Sequence, residues 1–79
     1  MPALAYILVL VEHGKISNVA EQLLKFDEVK ELHELYGEFD IIAKIEATDM
    51  ASLKDFIEKR IRPIKEIRET QTLIASDVF

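Results

Sequence analysis

The chain has no cysteine and only 2 histidines in 79 residues. That excludes disulfides, thiolate metal sites and a cysteine nucleophile. It leaves His13 and His33 as the only nitrogen ligands, so neither a metal nor a cofactor is expected. The lack of cysteine also fits an intracellular setting. Long hydrophobic runs are missing too. The longest apolar stretch, residues 3–11, is far too short to cross a membrane. No basic segment precedes it and no small-residue cleavage site follows it, so it does not read as a signal peptide. A soluble cytoplasmic protein is the expectation, with no linker, low-complexity tract or internal repeat.

Positive charge is scarce: 10 Lys and Arg stand against 15 Asp and Glu, a net charge of −5. A free-standing nucleic-acid binder would show a basic patch. The basic cluster Lys59, Arg60, Arg62, Lys65 and Arg68 is interleaved with Glu58, Glu66 and Glu69 and reads as a solvated helix end. Direct contact with nucleic acid is therefore not expected. A chain of this length buries only about 60% of the surface its unfolded form exposes. Small domains compensate with disulfides, metals or oligomerisation. With the first two unavailable, self-association is expected of a single domain spanning residues 1–79.

What is present is pattern. Residues 3–11 form a continuous apolar run that ends at Glu12, His13 and Gly14, which predicts a strand buried on both faces. In residues 15–26, Ile16, Val19, Ala20, Leu23 and Leu24 recur at helical spacing, with Lys15, Asn18, Glu21 and Lys25 opposite. Residues 29–36 alternate loosely, Val29, Glu31, His33 and Leu35 against Lys30, Leu32, Glu34 and Tyr36, and predict a second strand. Gly37 supplies the turn, because glycine alone tolerates a left-handed backbone cheaply. Residues 39–47 alternate cleanly, with Phe39, Ile41, Ala43, Ile45 and Ala47 on the apolar face. Thr48 and Asp49 look like a helix entry, followed by Met50, Leu53, Phe56, Ile57 and Ile61 at helical spacing. Pro63 stops this helix and biases Arg62 away from the α region. Residues 66–75 read as a last strand, with Thr70 and Thr72 on one face and Gln71 and Leu73 on the other.

The order βαββαβ predicts the ferredoxin-like α+β fold, an antiparallel four-stranded sheet with two helices on one face. The other face carries apolar residues of the first strand, with Ile42 and Ile74. Left open, such a surface is a liability. Packing two sheets face to face buries it and gives a two-fold dimer, a dimeric α/β barrel. The segment Tyr36-Gly37-Glu38-Phe39-Asp40 joins two strand-like runs and sets a carboxylate at the mouth of an apolar strand. An unpaired buried charge is costly there. A ligand's ammonium group is one candidate partner, and solvent at a hairpin is the plainer alternative.

In these residues the chain resembles the C-terminal effector domain, or RAM domain, of the leucine-responsive/AsnC (Lrp/AsnC) regulators. The resemblance covers about residues 3–75 and rests on an ordered set of pieces. Tyr6-Ile7-Leu8-Val9-Leu10-Val11 leads into Gly14-Lys15 and Val19-Ala20-Glu21. Val29-Lys30-Glu31-Leu32-His33 precedes Gly37-Glu38-Phe39-Asp40, which fits the family's Gly-x-(Tyr/Phe)-Asp pattern. Lys44-Ile45-Glu46-Ala47, Asp49, Leu53 and Thr70-Gln71-Thr72 complete it. The chain starts directly at the effector-domain strand and so resembles the stand-alone form without a helix-turn-helix domain. Tyr36 departs from the Thr or Ser common at that position, a bulky ring able to narrow or close the pocket.

The resemblance implies dimers paired through their sheets and assembled into octameric or decameric rings. It implies an amino acid or similar metabolite bound where dimers meet, and mixed rings with full-length regulators. Gly37, Phe39 and Asp40 would lie at that site, Thr70 and Thr72 across from them, and His33, Tyr36 and Glu38 would be further pocket residues. The chemistry suits a zwitterion: Asp40 accepts from the ammonium, while threonine hydroxyls and backbone N–H groups near Gly37 donate to the carboxylate.

Two other classes share the fold. A small dimeric α/β-barrel enzyme, of isomerase or monooxygenase type, would use His33, Tyr36 and Asp40 as acid or base groups. Alternation puts His33 and Tyr36 on opposite strand faces, which splits that set. His13, beside Gly14, reads as a turn residue. An RNA-binding sheet would need aromatics on its central strands and a basic surface, neither of which fits. Interface polar groups hydrogen-bonded across subunits are the structural alternative for Asp40, Thr70 and Thr72.

Overall fold

The computed structural model describes residues 2–77. The apolar run forms strand β1 (Ala3–Val11), followed by helix α1 (Ile16–Leu24) and strands β2 (Val29–Glu34) and β3 (Ile41–Ala47). Helix α2 (Met50–Phe56) continues into a π-helical segment, Ile57–Ile61, before strand β4 (Ile67–Ile74). The sheet is antiparallel in the order β2-β3-β1-β4, with β1 and β3 at its centre. This is the ferredoxin-like α+β arrangement. Among the described residues no helix is long and apolar enough to cross a membrane.

One face of the sheet carries the core. Ala5, Ile7 and Val9 of β1 and Ile41, Ala43 and Ile45 of β3 pack against Val19 and Leu23 of α1 and against Leu53, Phe56, Ile57 and Ile61. Phe26 meets Phe56 edge to face, with ring centroids 5.3 Å apart. Leu24, assigned to the apolar face of the first helix by spacing, is instead exposed. So is Met50 at the start of α2.

The opposite face is open. β1 was expected to be buried on both sides, but only its odd-numbered residues are. Leu4, Leu8 and Leu10 are half-buried and Tyr6 is 37% exposed, because no element among the described residues covers them. Across the ladders Leu8 stands between Ile42 and Gln71, and Tyr6 between Lys44 and Leu73. Ile74 pairs with Ala5 and so lies on the helix side, contrary to expectation; Leu73 takes its place on the open face.

Two irregularities were not visible as periods. The β2–β3 register shifts between Val29 and Glu31, so that Val29 faces Ile45 and Leu32 faces Ala43. The bulge at Lys30 lets both apolar side chains reach the core, which strict alternation forbids. The second irregularity is the widened helix. Leu53, Ile57 and Ile61 are spaced by four, and an ideal α-helix would drift about 40° between each. The π-helical segment, closed by Arg62 N–H donating to the Ile57 carbonyl at 3.0 Å, reduces that drift and keeps all three residues buried. Arg62 remains in the α region (φ −58°, ψ −35°) despite the proline that follows it.

Asp49 caps α2 as its sequence suggests: its Oδ1 accepts from the Ser52 N–H at 2.7 Å. That bond holds the Asp49 carboxyl below its ordinary pKa. A depressed carboxylate contributes stability above its unfolded pKa and loses it as pH falls through the folded value. Asp49→Ala is therefore expected to lower the melting temperature by a few degrees at neutral pH and by less in acid. Asp49→Asn, which keeps the acceptor, should retain most of the neutral-pH stability. Thermal melts of the three proteins across the acid range test this.

Candidate functional site

β3 begins at Ile41 and β2 ends at Glu34, so Phe39 and Asp40 belong to the connection rather than to a strand, and Tyr36 lies beyond β2. The connection is held at its base. Leu35 N–H donates to the Asp40 carbonyl at 2.8 Å, and Asp40 N–H donates to the Val9 carbonyl at 2.9 Å. Asp40 Oδ2 then accepts from the Val11 N–H at 2.8 Å. β1 runs past the start of β3, and the Asp40 side chain stands in for the missing strand carbonyl. Asp40 is half-buried, and one partner of its carboxylate is a main-chain amide. A carboxylate offers about four acceptor positions, so this bond leaves others open.

Gly37 sits at φ 154°, a conformation that side chains rarely adopt, with nothing within 4 Å of where a Cβ would be. Gly37→Ala is expected to cost about 1–3 kcal/mol through backbone strain alone, since the space is free. Urea denaturation should show a lower midpoint at unchanged slope. Tyr36 is fully exposed at 102%, Glu38 is exposed and Phe39 half-buried.

Thr70 and Thr72 lie on β4, with β1 between them and β3. Thr70 pairs with Val9 and Thr72 with Ile7, so both face the helix side. Thr72 borders a groove of about 250 Å³ with Lys54, Ile57, Glu58, Arg62 and Ile74. Within one chain, then, Gly37, Phe39 and Asp40 are neighbours in a loop, while Thr72 opens onto a groove by the far edge strand. Sequence reasoning did not find Lys54, Arg62 and Ile74 as neighbours of Thr72, because the contact joins a helix to a strand.

His33 pairs with Ile42 on the open sheet face. Its Nε2 lies 3.5 Å from Glu31 Oε1, and Lys44 Nζ lies 3.7 Å from Glu31 Oε2. With Tyr6, Ile42 and Lys44 these residues line a dimple of about 60 Å³. The acid–base set of the enzyme alternative is not gathered: His33 faces the open sheet, Asp40 is bonded to Val11 and Tyr36 projects into solvent. Among the described residues no group of three His, Asp or Glu is placed to hold a metal ion.

The fold defines a ferredoxin-like domain with one packed and one open sheet face and a hairpin pinned to the central strand. A family model described as the Lrp/AsnC ligand binding domain matches residues 4–79. The chain belongs to that family. It is 35% identical over 75 residues to the HTH-type transcriptional regulator FL11 of Pyrococcus furiosus, a match covering 95% of this chain and 49% of that protein. It thus spans about half the length of the curated relatives it matches. The crystal structure of PHS023 from Pyrococcus horikoshii shares 43% identity, with a TM-score of 0.89, 95% of this chain covered and 89% of that one. The fold is shared by the Neisseria meningitidis regulator NMB0573, solved as an L-Met complex, at a TM-score of 0.84 and 21% identity, covering 95% and 50% of the two chains.

Proposed function

We propose that this domain binds an effector and drives assembly, without catalysing a reaction. Its effector is an amino acid or a similar zwitterionic metabolite, held where sheet-paired dimers meet in a ring. Gly37, Phe39 and Asp40 come from one side of that contact, and Thr70 and Thr72 from the other. The observation that carries this reading is Asp40: a half-buried carboxylate, fixed in direction by the Val11 amide, with acceptor positions left for an ammonium group. The membership of the chain in a ligand-binding domain family supports it. So does the L-Met complex of the Neisseria regulator, which shows one amino acid held by a protein of this fold.

The open sheet face supports the dimer. Leu4, Tyr6, Leu8, Leu10, Ile42 and Leu73 form an apolar surface that a second copy would cover. The same face would fit that of a longer relative, so the domain would act in the cytoplasm by co-assembling with full-length regulators and altering their action on DNA. Contact with DNA is left to those partners, since this chain carries a net charge of −5.

A thermal-shift screen of the amino acids, confirmed by calorimetry, tests the reading. A ligand at roughly 10 times its dissociation constant adds about 1.4 kcal/mol. At about 4–8 °C per kcal/mol for a domain of this size, the shift is readily measured. A hit lost on Asp40→Asn with the fold intact supports the reading. No response to any amino acid rejects amino-acid sensing.

A further inference from the structure

The open sheet face is apolar at its centre and charged at its margins. Leu4, Tyr6, Leu8 and Leu10 of β1 fill the middle. The ladders fix which charged side chains share that face, since directly paired residues project to the same side of a sheet. Glu31 and His33 of the edge strand β2 pair with Lys44 and Ile42. Glu46 of β3 pairs with Leu4, and Glu69 of the other edge strand, β4, pairs with Leu10. Among the described residues, the strands therefore give this face three carboxylates, Glu31, Glu46 and Glu69, against one permanent cation, Lys44.

His33 is the one side chain among these strand residues whose charge changes near neutrality. A histidine ordinarily titrates near pH 6.5, whereas carboxylates, lysine and tyrosine do so outside the range from pH 6 to 8. Tyr6, Glu31, Ile42 and Lys44 line the dimple with it. Its Nε2 lies 3.5 Å from Glu31 Oε1, and Lys44 Nζ lies 3.7 Å from Glu31 Oε2. Once His33 is protonated, each oxygen of that carboxylate has its own cation. With His33 neutral, the carboxylate excess of the face is at its largest.

We infer that His33 makes the pairing of two open sheet faces pH-sensitive, with the protonated ring tightening the dimer and the neutral ring loosening it. The inference rests on the sheet-paired dimer proposed above and deepens it. A second copy brings the same three carboxylates, so apposed faces repel, and a second cation on each face relieves that repulsion. The opposing effect is loss of water from the imidazolium. His33 lies on an edge strand with its side chain 67% exposed, so it sits at the rim and keeps part of its hydration. Charge balance therefore outweighs desolvation there. Association that favours the charged ring takes up protons. It is strongest below the ordinary histidine range and is lost as pH rises through that range. His13 lies between β1 and α1, off this face.

The test is the monomer–dimer dissociation constant at pH 6, 7 and 8, by fluorescence-detected sedimentation of the N-terminally labelled chain. Amino acids are left out, so the effector site has no part in the result. Proton uptake at two sites per dimer is expected to make the constant about 5- to 50-fold lower at pH 6 than at pH 8. His33→Gln should flatten this dependence, while His13→Gln should keep it. Glu31→Gln should shrink it, and so should about 1 M NaCl, which screens the repulsion. A dimer equally tight at pH 6 and pH 8, or looser at pH 6, overturns the inference and leaves sheet pairing intact. A pH dependence that survives in His33→Gln does the same. A wild-type protein that stays monomeric at every pH sinks sheet pairing and the inference together.

Discussion

Leu8→Glu is expected to yield a folded monomer. Leu8 lies at the centre of the open face, between Ile42 and Gln71 on neighbouring strands and between Tyr6 and Leu10 along β1. The core residues Ile7 and Val9 point the other way and keep their packing. In a two-fold interface the substitution is made on both surfaces, so two carboxylates are desolvated for each dimer. Burying a charge without a partner costs several kcal/mol. At about 1.4 kcal/mol per tenfold, dimer affinity should fall by at least about 10³-fold. Sedimentation velocity reads the mass, and circular dichroism confirms the fold. A Leu8→Glu protein that dimerises as tightly as wild type would remove the sheet face from the interface.

The second large effect concerns Asp40, and it divides by substitution. Asp40→Ala leaves the Val11 N–H without its acceptor at the end of the central strand. The expected loss is about 1–3 kcal/mol, read as a melting temperature lower by roughly 4–8 °C per kcal/mol. Asp40→Asn retains an acceptor oxygen and should keep most of that stability. For an ammonium-bearing ligand the asparagine is nonetheless deficient, because it lacks the negative charge. If Asp40 serves the fold alone, Asn behaves as wild type in every assay. If it also holds a ligand, Asn stays folded and loses binding. Alanine cannot separate the two roles, and a loss of binding measured with it alone would be uninterpretable.

Much of the fold was legible because its signals are local. The apolar run of β1, the spacing of Val19 and Leu23, the alternation of β3 and the Asp49 cap each lie within a few residues of one another. The order of elements then left one simple topology. What stayed hidden depends on distant partners. Lys30 bulges because Val29 and Leu32 both have core positions to fill, a demand set by β3. Arg62 stays helical before Pro63 because the π-helical segment closes around it. Asp40 was read as needing a partner, and it has one, but the donor is 29 residues away in sequence. The candidate binding residues were legible by resemblance, as a loop on one side and an edge strand on the other. The proposed joining of the two sides would take a second chain, whose surface no periodicity in the first describes.

The widened turn at Ile57–Ile61 bears on how the chain tolerates a change in its length. Removing one residue from an α-helix normally turns everything beyond it by about 100° and tears the buried face from the core. Here the segment already holds a surplus residue. Excising Glu58, Lys59 or Arg60, all exposed, would set Ile61 seven positions after Leu53, only about 20° from the same face of a regular helix. The helix would shorten by about 1.5 Å and still present its apolar column to the sheet. A one-residue deletion, elsewhere ruinous to so small a domain, has one place in this helix where it can be absorbed.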